Sequence, residues 1–135
     1  MKNIFISYKQ SWISKNELEN NLWFLRENID KLWFNSLIYY FDDNSDLNAD
    51  ILDKKFLENI KASDIFVSFL NYQEKSEWQL MELGMAYALW KKIILLVNNK
   101  IKDNYFLAYW TSENIVYFDK LENLDSWILT GTAHL

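Results

Sequence analysis

The sequence has no cysteine and no proline, and only two glycines and one histidine in 135 residues. Without cysteine there is no disulfide, no thiolate nucleophile and no cysteine-ligated zinc. The lone histidine, His134, stands in the tail, so a histidine triad or histidine metal cluster has no raw material. Gly84 and Gly131 are far apart, whereas a phosphate-cradling loop needs clustered glycines for close backbone approach. That excludes a P-loop and a conventional dinucleotide fingerprint. Long hydrophobic runs are missing too: Ile93-Ile94-Leu95-Leu96-Val97 falls far short of the roughly 20 apolar residues of a membrane helix. No signal-peptide pattern follows Met1-Lys2-Asn3, so a cytoplasmic protein with no membrane partner is expected. Basic residues are scattered, fourteen against nineteen acids, for a net charge of −5. A nucleic-acid polymer would call for a basic stripe, and none is expected as a partner.

What is present is apolar and aromatic. Half the residues are hydrophobic and 24% charged, the composition of a globular chain with material for a core. One domain over residues 1–135 is expected from this length. Seven Trp, eight Tyr and nine Phe are many for one small core. Aromatics are enriched at interfaces, so a homo-oligomer is expected.

Short apolar runs alternate with helical periodicity. Ile4-Phe5-Ile6 reads as a buried strand, and Leu18, Leu22, Leu25, Ile29 and Leu32 form one stripe of an amphipathic helix. Leu37 to Phe41 reads as a second strand, and Asn48 to Lys61 as a helix with Leu52, Phe56 and Ile60 on one side. Ile65 to Leu70 is the best central strand. Ser76-Glu77-Trp78-Gln79 then fits a capping box opening a helix to about Trp90, with Trp78, Met81, Met85 and Leu89 at core spacing. Ile93 to Val97 is the fourth strand, and Ile115 to Phe118 a weaker fifth before a helical tail from Leu121. This alternation implies an α/β fold, a flavodoxin-like or Rossmann-like three-layer sandwich around a mostly parallel five-stranded sheet.

Ligands of open parallel sheets bind outside the carboxyl ends of the strands. Candidates there are Ser7, Tyr8, Lys9 and Gln10 after the first strand, and Asp42, Asp43 and Asp46 after the second. Asn71, Tyr72 and Ser76 follow the third, Asn98 and Asn99 the fourth. Glu82, one turn beyond Trp78 on the same helical face, is the strongest single candidate. A carboxylate at the mouth of such a sheet can attack an anomeric carbon or stabilise an oxocarbenium ion. Gly84 costs about 1 kcal/mol inside a helix relative to Ala, which suggests close packing against another backbone. From pattern alone the commoner readings are Glu82 as an ordinary helix former, Ser76 as a cap and the Asp42–Asp46 segment as a solvated turn, while Tyr8 with Lys9 can serve only to close a loop.

Ser63-Asp64-Ile65, Met81-Glu82-Leu83-Gly84-Met85-Ala86-Tyr87-Ala88-Leu89 and Lys92-Ile93-Ile94-Leu95-Leu96 together resemble the nucleoside 2-deoxyribosyltransferase family. The likeness extends to Phe106-Leu107-Ala108 and Glu113-Asn114-Ile115-Val116. A related fold, the TIR domain, is resembled by Ile4-Phe5-Ile6-Ser7-Tyr8, by Tyr40-Phe41-Asp42 and by Ser76-Glu77-Trp78 with Glu82-Leu83. Both resemblances imply a catalytic glutamate at Glu82 and cleavage of an N-glycosidic bond. In the transferase family the glutamate is the nucleophile; in NAD-cleaving TIR domains it stabilises the ribosyl cation. The transferases' base-protonating acid aligns near Phe56.

Three functions are therefore compared. In the first, a nucleoside or nucleotide is the small-molecule substrate, Tyr8 and Ser76 orient Glu82, Asp42 or Asp43 handles sugar hydroxyls or the base proton, and aromatics such as Trp12 and Tyr72 stack the base. Lys9 and Trp78 complete the expected binding set, with no cofactor and no metal. The second is a TIR-like NAD hydrolase or cyclase, and the third a non-catalytic interaction module.

Overall fold

The computed structural model describes residues 2–42 and 49–124, with side chains for all of these except 42 and 49–54. The sheet has five strands, β1 (Asn3–Ser7), β2 (Asn35–Leu37), β3 (Ile65–Leu70), β4 (Lys92–Asn98) and β5 (Asn114–Phe118), in the order β2-β1-β3-β4-β5. Every neighbouring pair is parallel. The helices are α1 (Lys15–Asp30), the short α2 (Tyr39–Asp42), α3 (Ala49–Ala62) and α4 (Glu77–Ala88). Three 3₁₀ turns, Asn99–Asn104, Ala108–Thr111 and Leu121–Asn123, flank β5.

Strand alternation divides the core into two layers. Ile4, Ile6, Ile65, Val67, Phe69, Ile94 and Leu96 face one side, where the Leu18-Leu22-Leu25-Ile29 stripe of α1 packs. Phe5, Phe66, Leu70, Ile93, Leu95 and Val97 face the other, against Phe56 and Ile60 of α3 and Leu83 and Ala86 of α4. Ser14 caps α1 by accepting the Glu17 amide at 3.2 Å.

Three local expectations are corrected. The second strand is Asn35–Leu37, not Leu37–Phe41: it pairs with only Asn3–Phe5 of β1, and the chain then turns as the Phe41 amide bonds the Ile38 carbonyl. The buried stripe of α4 is Gln79, Glu82, Leu83 and Ala86, with Met81 exposed and Trp78, Met85 and Leu89 only half-buried. Gly84 is exposed, and a Cβ there would meet nothing within 4 Å, so close packing is not why glycine stands in the helix. Of the expected tail helix the described residues hold only the 3₁₀ turn Leu121–Asn123, after which Leu124 is extended; residues 125–135 lie outside the described residues.

Candidate active site

The site begins with two serines in register. Ser7 ends β1 and pairs with Ser68 in β3, and strand alternation directs both side chains to the α4 side of the sheet. Gln79 and Glu82 lie three residues apart on α4 and are neighbours on its inner face. Gln79 Nε2 is 2.8 Å from the Phe69 carbonyl, 3.2 Å from the Ser7 carbonyl and 3.3 Å from Ser68 Oγ. This amide clamps the ends of β1 and β3 together beneath the helix. The capping box is therefore half-formed. Ser76 Oγ accepts the Gln79 amide at 3.2 Å, as expected, but the Gln79 side chain serves the sheet rather than its own helix end.

Glu82 is 2% exposed, and its Oε1 accepts from Ser7 Oγ at 2.9 Å. Among the described residues nothing bonds Oε2. Burial raises the carboxyl from 4.5 to about 8, the Ser7 hydrogen bond opposing. At neutral pH the carboxyl is thus largely protonated, and a ligand that favours the charged form would ionise it. The Tyr8 hydroxyl is also buried, and among the described residues it finds no hydrogen-bond partner. Burial holds it well above the ordinary tyrosine range; the Tyr40 backbone amide opposes this without hydrogen-bond geometry, and the Glu82 charge adds to it.

These groups open into a cavity of about 470 Å³ lined by Ile6, Tyr8, Gln10, Ser11, Tyr39, Phe56, Ser76, Trp78 and Glu82. One wall is aromatic: the Tyr39 and Phe56 rings lie 4.9 Å apart and the Phe56 and Trp78 rings 5.0 Å. A buried carboxyl against an apolar wall, with an unpaired hydroxyl beside it, suits a planar ring carrying a polar substituent.

Of the residues expected from sequence, Glu82, Tyr8, Ser76 and Trp78 meet in this cavity. Lys9 is buried but does not line it. Trp12 is 90% exposed and does not line the cavity, and Tyr72 is held elsewhere by a 2.7 Å bond to Glu17. The Asp42 side chain and all of Asp43 lie outside the described residues. Tyr39 was not singled out from sequence, and Ser7, Gln79 and Phe56 were read only as a carboxyl-end candidate, a capping-box partner and a helix-face residue. Ser7 was legible as a residue at the carboxyl end of β1, and the two serines on one face of otherwise apolar strands were the signal for a buried polar site. No three His, Cys, Asp or Glu side chains come together as a metal set among the described residues.

No sequence-family model and no curated protein matches the chain. By structure it is similar to a CMP N-glycosidase from Clostridium botulinum, with a TM-score of 0.70 at 22% identity over 99% of this chain and 100% of that one. A 2-deoxyribosyltransferase from Leishmania mexicana matches with a TM-score of 0.70 at 19% identity over 96% and 98%. The chain has the deoxyribosyltransferase fold. The TIR domains of an RPS4–RRS1 heterodimer are more distant, with a TM-score of 0.59 at 12% identity over 98% of this chain and 93% of that one. In the deoxyribosyltransferase fold as built here, the cavity sits where an open parallel sheet binds its ligand, outside the carboxyl end of β1 beside α4.

Proposed function

We propose that the protein breaks the N-glycosidic bond of a nucleoside or nucleotide, passing the sugar to water or to a second base. The observation that carries this reading is Glu82, buried at the carboxyl end of the sheet, held through Oε1 by Ser7 and facing an aromatic-walled cavity. The likeness to an N-glycosidase and a deoxyribosyltransferase supports it.

In this mechanism Glu82 releases its proton to solvent and Oε2 attacks C1′ as the C1′–N bond breaks. The electron pair of that bond leaves with the base, which takes a proton from solvent. Water or a second base then attacks C1′ and frees the carboxylate. Ser7 fixes the carboxylate plane, Tyr8 donates its unpaired hydroxyl to the sugar, and Tyr39, Phe56 and Trp78 hold the base.

A second reading, release of nicotinamide from NAD, has its own support. A buried carboxyl raised to about 8 is most readily ionised by a ring that carries positive charge. The experiment is chromatography of reactions with deoxynucleosides, their 5′-monophosphates and NAD, with and without free adenine, for the native chain and Glu82→Gln. Base release or exchange that vanishes in the variant establishes the first reading. Nicotinamide release alone establishes the second, and no turnover of any substrate overturns both.

A further inference from the structure

The cavity beside α4 holds a carboxyl and no cation. Apart from Glu82, every described residue that lines it is neutral. Lys9 does not line it, and Lys55 lines a separate hollow with Asn35 and Asn59. Ser7 engages Oε1 of Glu82, and among the described residues nothing bonds Oε2. A buried carboxylate without a counter-charge is costly, and this one keeps its proton up to about 8. The missing positive charge is therefore left to whatever enters the cavity.

The wall supplies the other half of a cation site. Trp78 precedes Glu82 by one turn of α4, so the indole and the carboxyl are neighbours. Phe56 stands edge-on to Trp78 at 5.0 Å, and Tyr39 lies 4.9 Å from Phe56. Ring faces attract a cation within about 6 Å of the centroid, tryptophan most strongly. A flat cation laid on this wall has its charge beside Glu82 and is held by both. The mouth offers a phosphate much less. No described lysine or arginine lines it, the Ser76 hydroxyl already caps the Gln79 amide, and Glu77 places negative charge in the first turn of α4. At about 470 Å³ the cavity also lies toward the lower end of small-molecule sites, which suits one nucleoside better than a dinucleotide.

We propose that this cavity takes an unphosphorylated nucleoside whose base is a permanent heteroaromatic cation, a pyridinium or an N-alkylated purine, seated on Trp78 beside Glu82. The proposal rests on the glycosidic reading above and narrows its substrate. It also removes a chemical difficulty. No second carboxyl lines the cavity among the described residues, and a neutral base leaves as an anion unless an acid protonates it. A cationic base needs no acid. As the C1′–N bond breaks, its electron pair goes to the ring nitrogen and cancels the charge there, so the base departs neutral. Oε2 takes C1′, and water then displaces the carboxylate and gives one proton to solvent.

The test is calorimetric titration at neutral pH with two rings of one shape, the cation 1-methylnicotinamide and its uncharged counterpart 3-methylbenzamide. The native chain is expected to bind the cation about ten-fold or more tightly than the neutral ring. Glu82→Gln should lose most of that preference and Trp78→Leu part of it, with circular dichroism showing both variants folded. In turnover, kcat/KM for nicotinamide riboside should exceed that for its 5′-monophosphate and for NAD by about ten-fold or more. Equal affinity for the two rings, binding of neither at millimolar concentration, or a preference that survives Glu82→Gln would overturn the proposal. So would a kcat/KM highest for the monophosphate or NAD. Binding and turnover fail separately. A cation preference that depends on Glu82, without release of any base, supports this recognition and removes the cleavage reading. Release of adenine from deoxyadenosine without a cation preference does the reverse.

Discussion

The carboxyl end of the sheet breaks the rule of apolar inside and polar outside in both senses, the amino end in one. At the carboxyl end polar groups are buried: Ser7, Ser68, Gln79 and Glu82 sit under α4, with the Tyr8 hydroxyl unpaired beside them. Exposed tryptophans on strained backbone stand at both ends, Trp12 beyond β1 at the carboxyl end and Trp33 and Trp90 at the amino end. Between the ends the strands obey the rule closely, and β3 is buried at all six positions. A departure that costs free energy and adds nothing to packing is where a fold's function is best sought. The carboxyl end concentrates such departures in one cavity; the amino end spreads them along an edge. A cavity of this kind suits a small molecule.

The comparison can be broken at the carboxyl end first. Glu82→Gln is expected to lower glycosidic turnover about 1,000-fold or more while the chain stays folded, because the amide cannot attack C1′. Near-native turnover in that variant would return Glu82 to a packing role. The same carboxyl makes stability depend on pH. It holds its proton up to about 8 in the folded chain but releases it near 4.5 when unfolded. The folded state therefore binds the extra proton between those values, and the stability present below pH 4.5 is lost as pH rises toward 8. The loss is on the order of 4 kcal/mol. Denaturant titrations at pH 5 and pH 8.5 should show this decline in the native chain and little of it in Glu82→Gln.

Gln79→Ala comes next, with an expected loss of about 2–3 kcal/mol in thermal unfolding, since the Ser7 and Phe69 carbonyls lose their buried donor. Ser7→Ala removes the one bond that lowers the Glu82 carboxyl. It should move the acid limb of kcat/KM to higher pH while costing only about 1 kcal/mol of stability. An unchanged pH profile would mean that Ser7 packs but does not tune. At the other end the signs reverse. Trp90→Gly should stabilise by about 1 kcal/mol through relief of backbone strain. Gly84→Ala, in open space on α4, should add about 0.5–1 kcal/mol, read as a raised Tm.

Much of this was legible before the fold was known. The apolar run of β3, the stripe of α1 from Leu18 to Ile29 and the cap at Ser76 are local properties, governed by periodicity and by side chains bonding their own backbone, and they appear where expected; Leu32, expected in the same stripe, falls beyond the helix end and is half-buried. Glu82 was legible because helical spacing and the carboxyl-end rule both converge on it. The errors share one physical origin. Gln79 satisfies a capping box on paper, yet three acceptors at the strand ends outcompete a single amide at the helix end. Gln79 and Glu82 share the inner face of α4, and Met81 lies outside. The strand expected to run to Phe41 stops at Leu37 because β1, its one partner among the described residues, pairs no further.

The sequence by itself determined the alternation of strands and helices, the parallel sheet that follows from it, and a chemistry limited to carboxylate, hydroxyl, amide and aromatic groups. Tertiary structure alone decided which of those groups meet. Serines at positions 7 and 68 become neighbours only through strand pairing, and Phe56, Tyr39 and Trp78 share a wall only because α2, α3 and α4 converge at one end of the sheet. The environment of Glu82 belongs to the same category. Its side chain is that of any glutamate, and burial among groups distant in sequence is what makes it reluctant to ionise.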